Sequence, residues 1–145
     1  MSSPIVLDTN VVLDLLVFDD PATPALQQAL DAGQWQWIAT PVMREELARV
    51  LDYPHLVGRL DYYRLGAADV LAAFDRQVRR VDVAPRAPMV CRDPDDQKFI
   101  DLAVAHRAAL LSKDHAVLKL RKRLTLQGVP VATRLDALPA LESVT

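Results

Sequence analysis

The chain has 145 residues, 51% of them apolar and 25% charged, one cysteine and a net charge of −2. That length and balance describe one globular domain with a real core, expected to span 1–145, and exclude a disordered or fibrous chain. A lone Cys91 excludes an internal disulfide framework, and no apolar run approaches the ~20 residues of a membrane span. No charged-then-apolar leader opens the sequence, so a reducing cytosol is the expected setting.

Taken in order, Pro4-Ile5-Val6-Leu7 reads as a short buried strand ending in Asp8. A helical pattern begins at Asn10. Pro21 to Gly33 reads as a helix with Leu26 and Leu30 on one face and Gly33 as its stop. Gln36 to Ala39 is a second strand. Thr40 is a helix cap, with Pro41 at the first helical position of a helix reaching about Leu51. Tyr53 to Val81 reads as helical with a break near Gly66, and Val81 to Val83 as a short strand. Arg86-Ala87-Pro88 is a loop. A helix from Asp93-Pro94 to about Arg107 leads into a strand at Ala109-Leu110-Leu111. His115 to Leu126 is helix or turn, Val129 to Ala132 a final strand, and Leu135 to Leu141 a closing helix. Short apolar strands alternating with helices imply an α/β domain with a mainly parallel sheet.

In such sheets ligands sit beyond the carboxyl ends of the strands, and acidic residues recur there. Asp8 ends the first strand. The helix after the second presents Glu45 and Glu46, and Asp114 follows the strand at 109–111. The helix before that strand opens with Asp93, Asp95 and Asp96. At ~100° per residue, Glu46 shares a face with Met43 and Val50 while Glu45 lies nearly opposite. Asp93 is the natural cap before Pro94, Asp96 lies above Phe99 and Ile100, and the face of Asp95 is ambiguous. Carboxylates gathered this closely repel one another, and a divalent cation resolves the repulsion. Hard oxygen donors suit Mg²⁺ or Mn²⁺, while one cysteine and three scattered histidines do not make a zinc site. Such a cation can assist phosphodiester cleavage.

Four segments together resemble the PIN-domain family. They are Val6-Leu7-Asp8-Thr9-Asn10, Pro41 followed by Glu45-Glu46-Leu47, Arg92-Asp93-Pro94-Asp95-Asp96-Gln97-Lys98-Phe99, and Leu111-Ser112-Lys113-Asp114. Within it the likeness is to the bacterial group of toxin components of toxin–antitoxin pairs, related to VapC-type toxins, over roughly residues 4 to 135. The resemblance implies a three-layer sandwich with a mainly parallel sheet, an Mg²⁺- or Mn²⁺-dependent ribonuclease acting on single-stranded RNA, a homodimer and a cognate antitoxin protein. By motif it assigns catalysis and metal binding to Asp8, Glu46, Asp96 and Asp114, with Asp93 as a fifth ligand candidate. Thr9, Asn10 and Ser112 become supporting or phosphate-facing polar groups.

Plainer readings stand beside these. Asp8, Asp93 and Asp114 can each cap a helix, and Asp96 can favour a helix N-terminus through the dipole. The basic group Lys119, Arg121, Lys122 and Arg123 is either a solvated face or an RNA-contact patch. A second basic group is Arg76, Arg79 and Arg80. His55, His106 and His115 read as structural or surface residues, Cys91 lacks a histidine partner, and Trp35 and Trp37 pack in or beside the core. Two rival functions are a non-catalytic PIN-like RNA-binding or assembly module, and an α/β phosphatase using Asp8 as nucleophile. The second is disfavoured by Asn10, where dehalogenase-like phosphatases carry a second aspartate.

Overall fold

A computed structural model describes residues 2–138 of the chain. Five strands form one sheet: β1 (Ser3–Leu7), β2 (Trp35–Ala39), β3 (Arg79–Arg80), β4 (Ala109–Leu111) and β5 (Val131–Ala132). Their order is β3-β2-β1-β4-β5 and every pairing is parallel, with Ile5 opposite Trp37 on one side and Ala109 on the other. The apolar runs are continuous rather than alternating because these strands are covered on both faces. Ile5, Val6 and Leu110 are fully buried.

The helices are α1 (Thr9–Leu13), α2 (Thr23–Asp31), α3 (Pro41–Leu51), α4 (Pro54–Tyr62), α5 (Ala67–Gln77), α6 (Gln97–His106), α7 (His115–Leu118) and α8 (Arg121–Leu126). A π turn, Asp14–Phe18, continues α1, and Asp19 closes it in the left-handed region at φ 53°. Right-handed crossovers place α1 to α5 over one face and α6 to α8 over the other. In keeping with this, α6 packs on β1 and β4, and α3 packs against α1 and α5. Trp37 meets Phe74 edge to face at 5.2 Å, tying β2 to α5. Trp35 is half-buried beside the same layer.

Local signals explain most boundaries. Thr40 caps α3, its hydroxyl accepting from the Met43 N–H at 3.4 Å, with Pro41 next. Gly33 ends α2 at φ 74°, a conformation that favours glycine. Three differences from expectation stand out. The third strand is Arg79–Arg80, not Val81–Val83. Its register is set by β2: the Val81 N–H donates the last ladder bond to Ala39 at 3.0 Å, after which the chain leaves the sheet and Val83 is exposed. The helix opening at Asp93 makes its first turn, Pro94–Asp96, as 3₁₀. Beyond β5 a 3₁₀ turn covers Leu135–Ala137, and residues 139–141 of the expected closing helix lie outside the described residues.

Candidate metal centre

The strand order reverses between β1 and β4, which opens a crevice at the carboxyl ends of those two strands. The chain leaves β1 at Asp8 and β4 at Ser112. Asp8 is 3% exposed, and its backbone N–H donates to Leu111 at 3.0 Å, stitching the two exits together. Ser112, fully buried, then links them through side chains. Its hydroxyl donates to Asp8 Oδ2 at 2.6 Å and accepts from the Asp114 N–H at 3.0 Å.

Three helix starts point into this crevice, each capped by an aspartate. Asp8 Oδ1 accepts from the Asn10 N–H at 3.4 Å, Asp93 Oδ1 from the Asp95 N–H at 3.0 Å, and Asp114 Oδ1 from the Ala116 N–H at 2.8 Å. A carboxylate has two oxygens, so capping a helix and facing a shared site do not compete. One oxygen from each of Asp93, Asp96 and Asp114 lies within 4.8 Å of the others. Asp93, whose cap role was the plainer reading, therefore does both: it caps the 3₁₀ turn and stands in this cluster. Asp95 and Glu45 are both exposed.

Glu46 reaches the crevice from α3 and is engaged at both oxygens. Oε1 accepts from the Thr9 hydroxyl at 2.5 Å and Oε2 from Lys98 Nζ at 2.6 Å. Thr9 is thus a support for Glu46, and Ser112 for Asp8. Asn10 contributes its backbone N–H while its side chain is exposed. Sequence reasoning misses Lys98. It stands in the third motif, but nothing local gives it a role, because its partner lies 52 residues away on another helix.

The electrostatics follow from this crowding. Burial raises the pKa of Asp8, the hydrogen bonds from Ser112 and Asn10 oppose the rise, and the charges of Asp114 and Glu46 add to it. Asp96, 7% exposed, is pushed up to about 8. Burial is again the largest cause, followed by a hydrogen bond with the Asp114 carboxyl and the charges of Asp8, Asp114 and Asp93. Its Oδ2 is buried without any hydrogen-bond partner among the described residues. An orphaned carboxylate oxygen at the centre of an acidic cluster calls for a cation or a proton. The donor set is all oxygen, which fits Mg²⁺ or Mn²⁺.

Other candidates fall outside. Cys91 is buried, and its thiol is pushed up chiefly by that burial, which removes it as a nucleophile. His115 is exposed beside Asp114. With Lys119 and Arg121 it lines an open hollow of about 350 Å³ formed with Thr133. Lys122 and Arg123 are exposed but do not line that hollow. Among the described residues no helix is long and apolar enough to cross a membrane.

A family model described as PIN domain matches residues 4–116, more than three quarters of the chain. A comparison with proteins of curated function gives no match. Among solved structures, the fold is similar to a chain in the crystal structure of VapBC2 from Rickettsia felis bound to a DNA fragment from their promoter. The TM-score is 0.62 at 12% identity, covering 89% of this chain and 97% of that one. At that identity the likeness is one of fold.

Proposed function

The chain belongs to the PIN-domain family, and we propose that it is a divalent-metal-dependent endoribonuclease cutting single-stranded RNA, the toxin component of a toxin–antitoxin pair. The observation that carries this reading is the buried, unpartnered Asp96 oxygen among Asp93 and Asp114 at the crevice between β1 and β4. Asp8, Asp96 and Asp114 are the proposed ligands of Mg²⁺ or Mn²⁺, with Asp93 joining them and Glu46 assisting at the rim. Bound there, such a cation supplies a more acidic water and stabilises charge developing on the scissile phosphate. The chain's own residues do the positioning. Ser112 fixes Asp8 and the turn into Asp114, Thr9 and Lys98 fix Glu46, and the packed ends of β1 and β4 hold these groups at short range.

RNA would arrive along the exposed basic side. Lys119 and Arg121, next to the hollow beyond Asp114, are the proposed phosphate contacts, with Lys122 and Arg123 contributing to the surrounding field. In-line attack of water on phosphorus would leave a 5′-phosphate and a 3′-hydroxyl. The partner reading is supported by the likeness to a chain of VapBC2. The exposed Tyr53, Val57, Tyr62 and Tyr63 of the α4 region offer an apolar surface for that antitoxin or for a homodimer.

The test is cleavage of a fluorophore–quencher single-stranded RNA with Mn²⁺, Mg²⁺ or EDTA. Wild type should cut only with metal, and Asp96→Asn and Asp8→Asn should lose about 10²–10³-fold or more in rate while remaining folded. Undiminished cutting by either variant would sink the assignment.

A further inference from the structure

The positive charge of the centre is unevenly provided. Lys98, in the first turn of α6, carries its ammonium to Glu46 Oε2 at 2.6 Å and also donates to the Asp95 carbonyl. Its stem lies beside the Phe99 ring, with Nζ 5.0 Å from the centroid. Both members of the pair are largely buried, the side chains 21% and 14% exposed. Thr9 holds the other Glu46 oxygen, so both oxygens of this carboxylate already accept a hydrogen bond, one of them from a cation. At the three aspartates the situation is reversed. The facing oxygens of Asp93, Asp96 and Asp114 have gathered within 4.8 Å, and Asp96 Oδ2 has no donor among the described residues.

We propose that the Lys98 ammonium stands in place of a second divalent cation, so that the centre binds one Mg²⁺ or Mn²⁺ among Asp8, Asp93, Asp96 and Asp114, and Glu46 at the rim assists only as the lysine's counter-ion. The inference rests on the reading of this cluster as a cation site and adds its stoichiometry. Two-metal nucleases hold their ions about 3.5–4 Å apart, bridged by shared carboxylates. A second dication at Glu46 would have to displace an ammonium already hydrogen-bonded on two sides, or sit beside it against like-charge repulsion. Lysine suits the role because its charge is compact and carries three donors, of which two are used here.

The experiment counts Mn²⁺ bound to the full chain, by calorimetry and equilibrium dialysis, alongside circular dichroism. Wild type should bind one ion. Lys98→Met, which keeps the stem and removes the charge, should bind two, the tighter one much as in wild type. Lys98→Arg should return the count to one. Glu46→Gln, with Lys98 intact, should still bind one, and it provides the test if Lys98→Met does not fold. Two ions on the wild type, one ion on folded Lys98→Met, or loss of all binding in Glu46→Gln would overturn the proposal. Two ions together with RNA cleavage would leave the nuclease reading standing, whereas no Mn²⁺ on the wild type would remove both.

Discussion

Under the proposed function, Asp8, Asp93 and Asp114 serve architecture and chemistry with one side chain type. Each holds a helix start with one oxygen; Asp93 and Asp114 also stand in the acidic cluster with Asp96, while the second oxygen of Asp8 accepts from Ser112. Asp96 contributes no such cap, and its cost is correspondingly plain. Without metal, the folded state holds the Asp96 proton up to about pH 8, whereas the unfolded chain releases it near 3.8. Between those values the native state binds more protons than the unfolded state, so stability falls as pH rises through that window. The melting temperature of metal-free protein should therefore decline from pH 5 to pH 8. Asp96→Asn should flatten that decline and melt higher than wild type at pH 8, by ~3 °C or more. Saturating Mn²⁺ should restore the wild type and leave Asp96→Asn unmoved. A variant that tracks the wild-type decline would contradict this account. Ser112→Ala removes the hydroxyl between Asp8 and the Asp114 turn. A loss of roughly 10–100-fold in metal affinity or turnover is expected, with the fold retained. At this scale strand ends and helix spacing mark the acids in the sequence, and of these the structure gathers one oxygen each of Asp93, Asp96 and Asp114 within 4.8 Å. The sequence did not expose Lys98, whose meaning depends on a helix far away in the chain, nor the orphaned oxygen of Asp96, which depends on three-dimensional burial.

The segment between β3 and α6 is irregular, yet it delivers Asp93 to the centre, and two residues of α6 anchor it. The Gln97 amide donates to the Met89 carbonyl at 3.0 Å and to Asp101 at 2.8 Å, while its Oε1 accepts from the Cys91 N–H at 2.6 Å. Asp101 in turn accepts from the Ala87 N–H at 2.8 Å. These contacts replace the backbone ladder that a strand would have supplied. Gln97→Leu leaves the Cys91 N–H and Met89 carbonyl buried without partners, at about 1–3 kcal/mol each. Urea titration should show that loss, and Mn²⁺ affinity should fall with it as Asp93 is released. Retained stability and affinity would mean that the loop holds its own shape. Strands and helices with strong periodicity, such as β1, β4 and α3, were legible in the sequence. The third strand was misplaced because Val81–Val83 has the β-branched composition of a strand, while edge pairing is decided by register with β2. On the far side of β4, Lys113 pairs with Asp14 of the π turn and with Asp20 at 3.6 Å, an arrangement that no sequence pattern marks.

For the whole molecule, parallel pairing and its crossovers followed from the alternation of elements, but the strand order did not. That order, with β1 and β4 adjacent at the centre, brings Asp8 beside Ser112, 104 positions apart in the chain. The basic side raises a prediction at the same scale. If Lys119 and Arg121 touch phosphates, replacing both by Gln should raise KM for RNA more than it lowers kcat. The salt dependence of KM should also become shallower, by about one power of salt for each phosphate no longer neutralised. Equal salt slopes for the variant and wild type would place the RNA path elsewhere. The side chains of β1 and β4 that support the centre are among the most buried, and Leu110→Ala should cost about 2–5 kcal/mol.

The hydrogen bond from Ser112 to Asp8 joins the first strand to the fourth. A chain emerging from the ribosome exposes Asp8 before Ser112, which follows 104 positions later, and before Asp114. Its acids are then scattered along an extended polymer with no shared ligand space. Under the proposed activity, the growing polypeptide is therefore harmless to the message that encodes it. On that reading competence waits for the strand from Ala109 to Leu111 to insert beside β1. Any fragment ending before that strand should be inert from the outset.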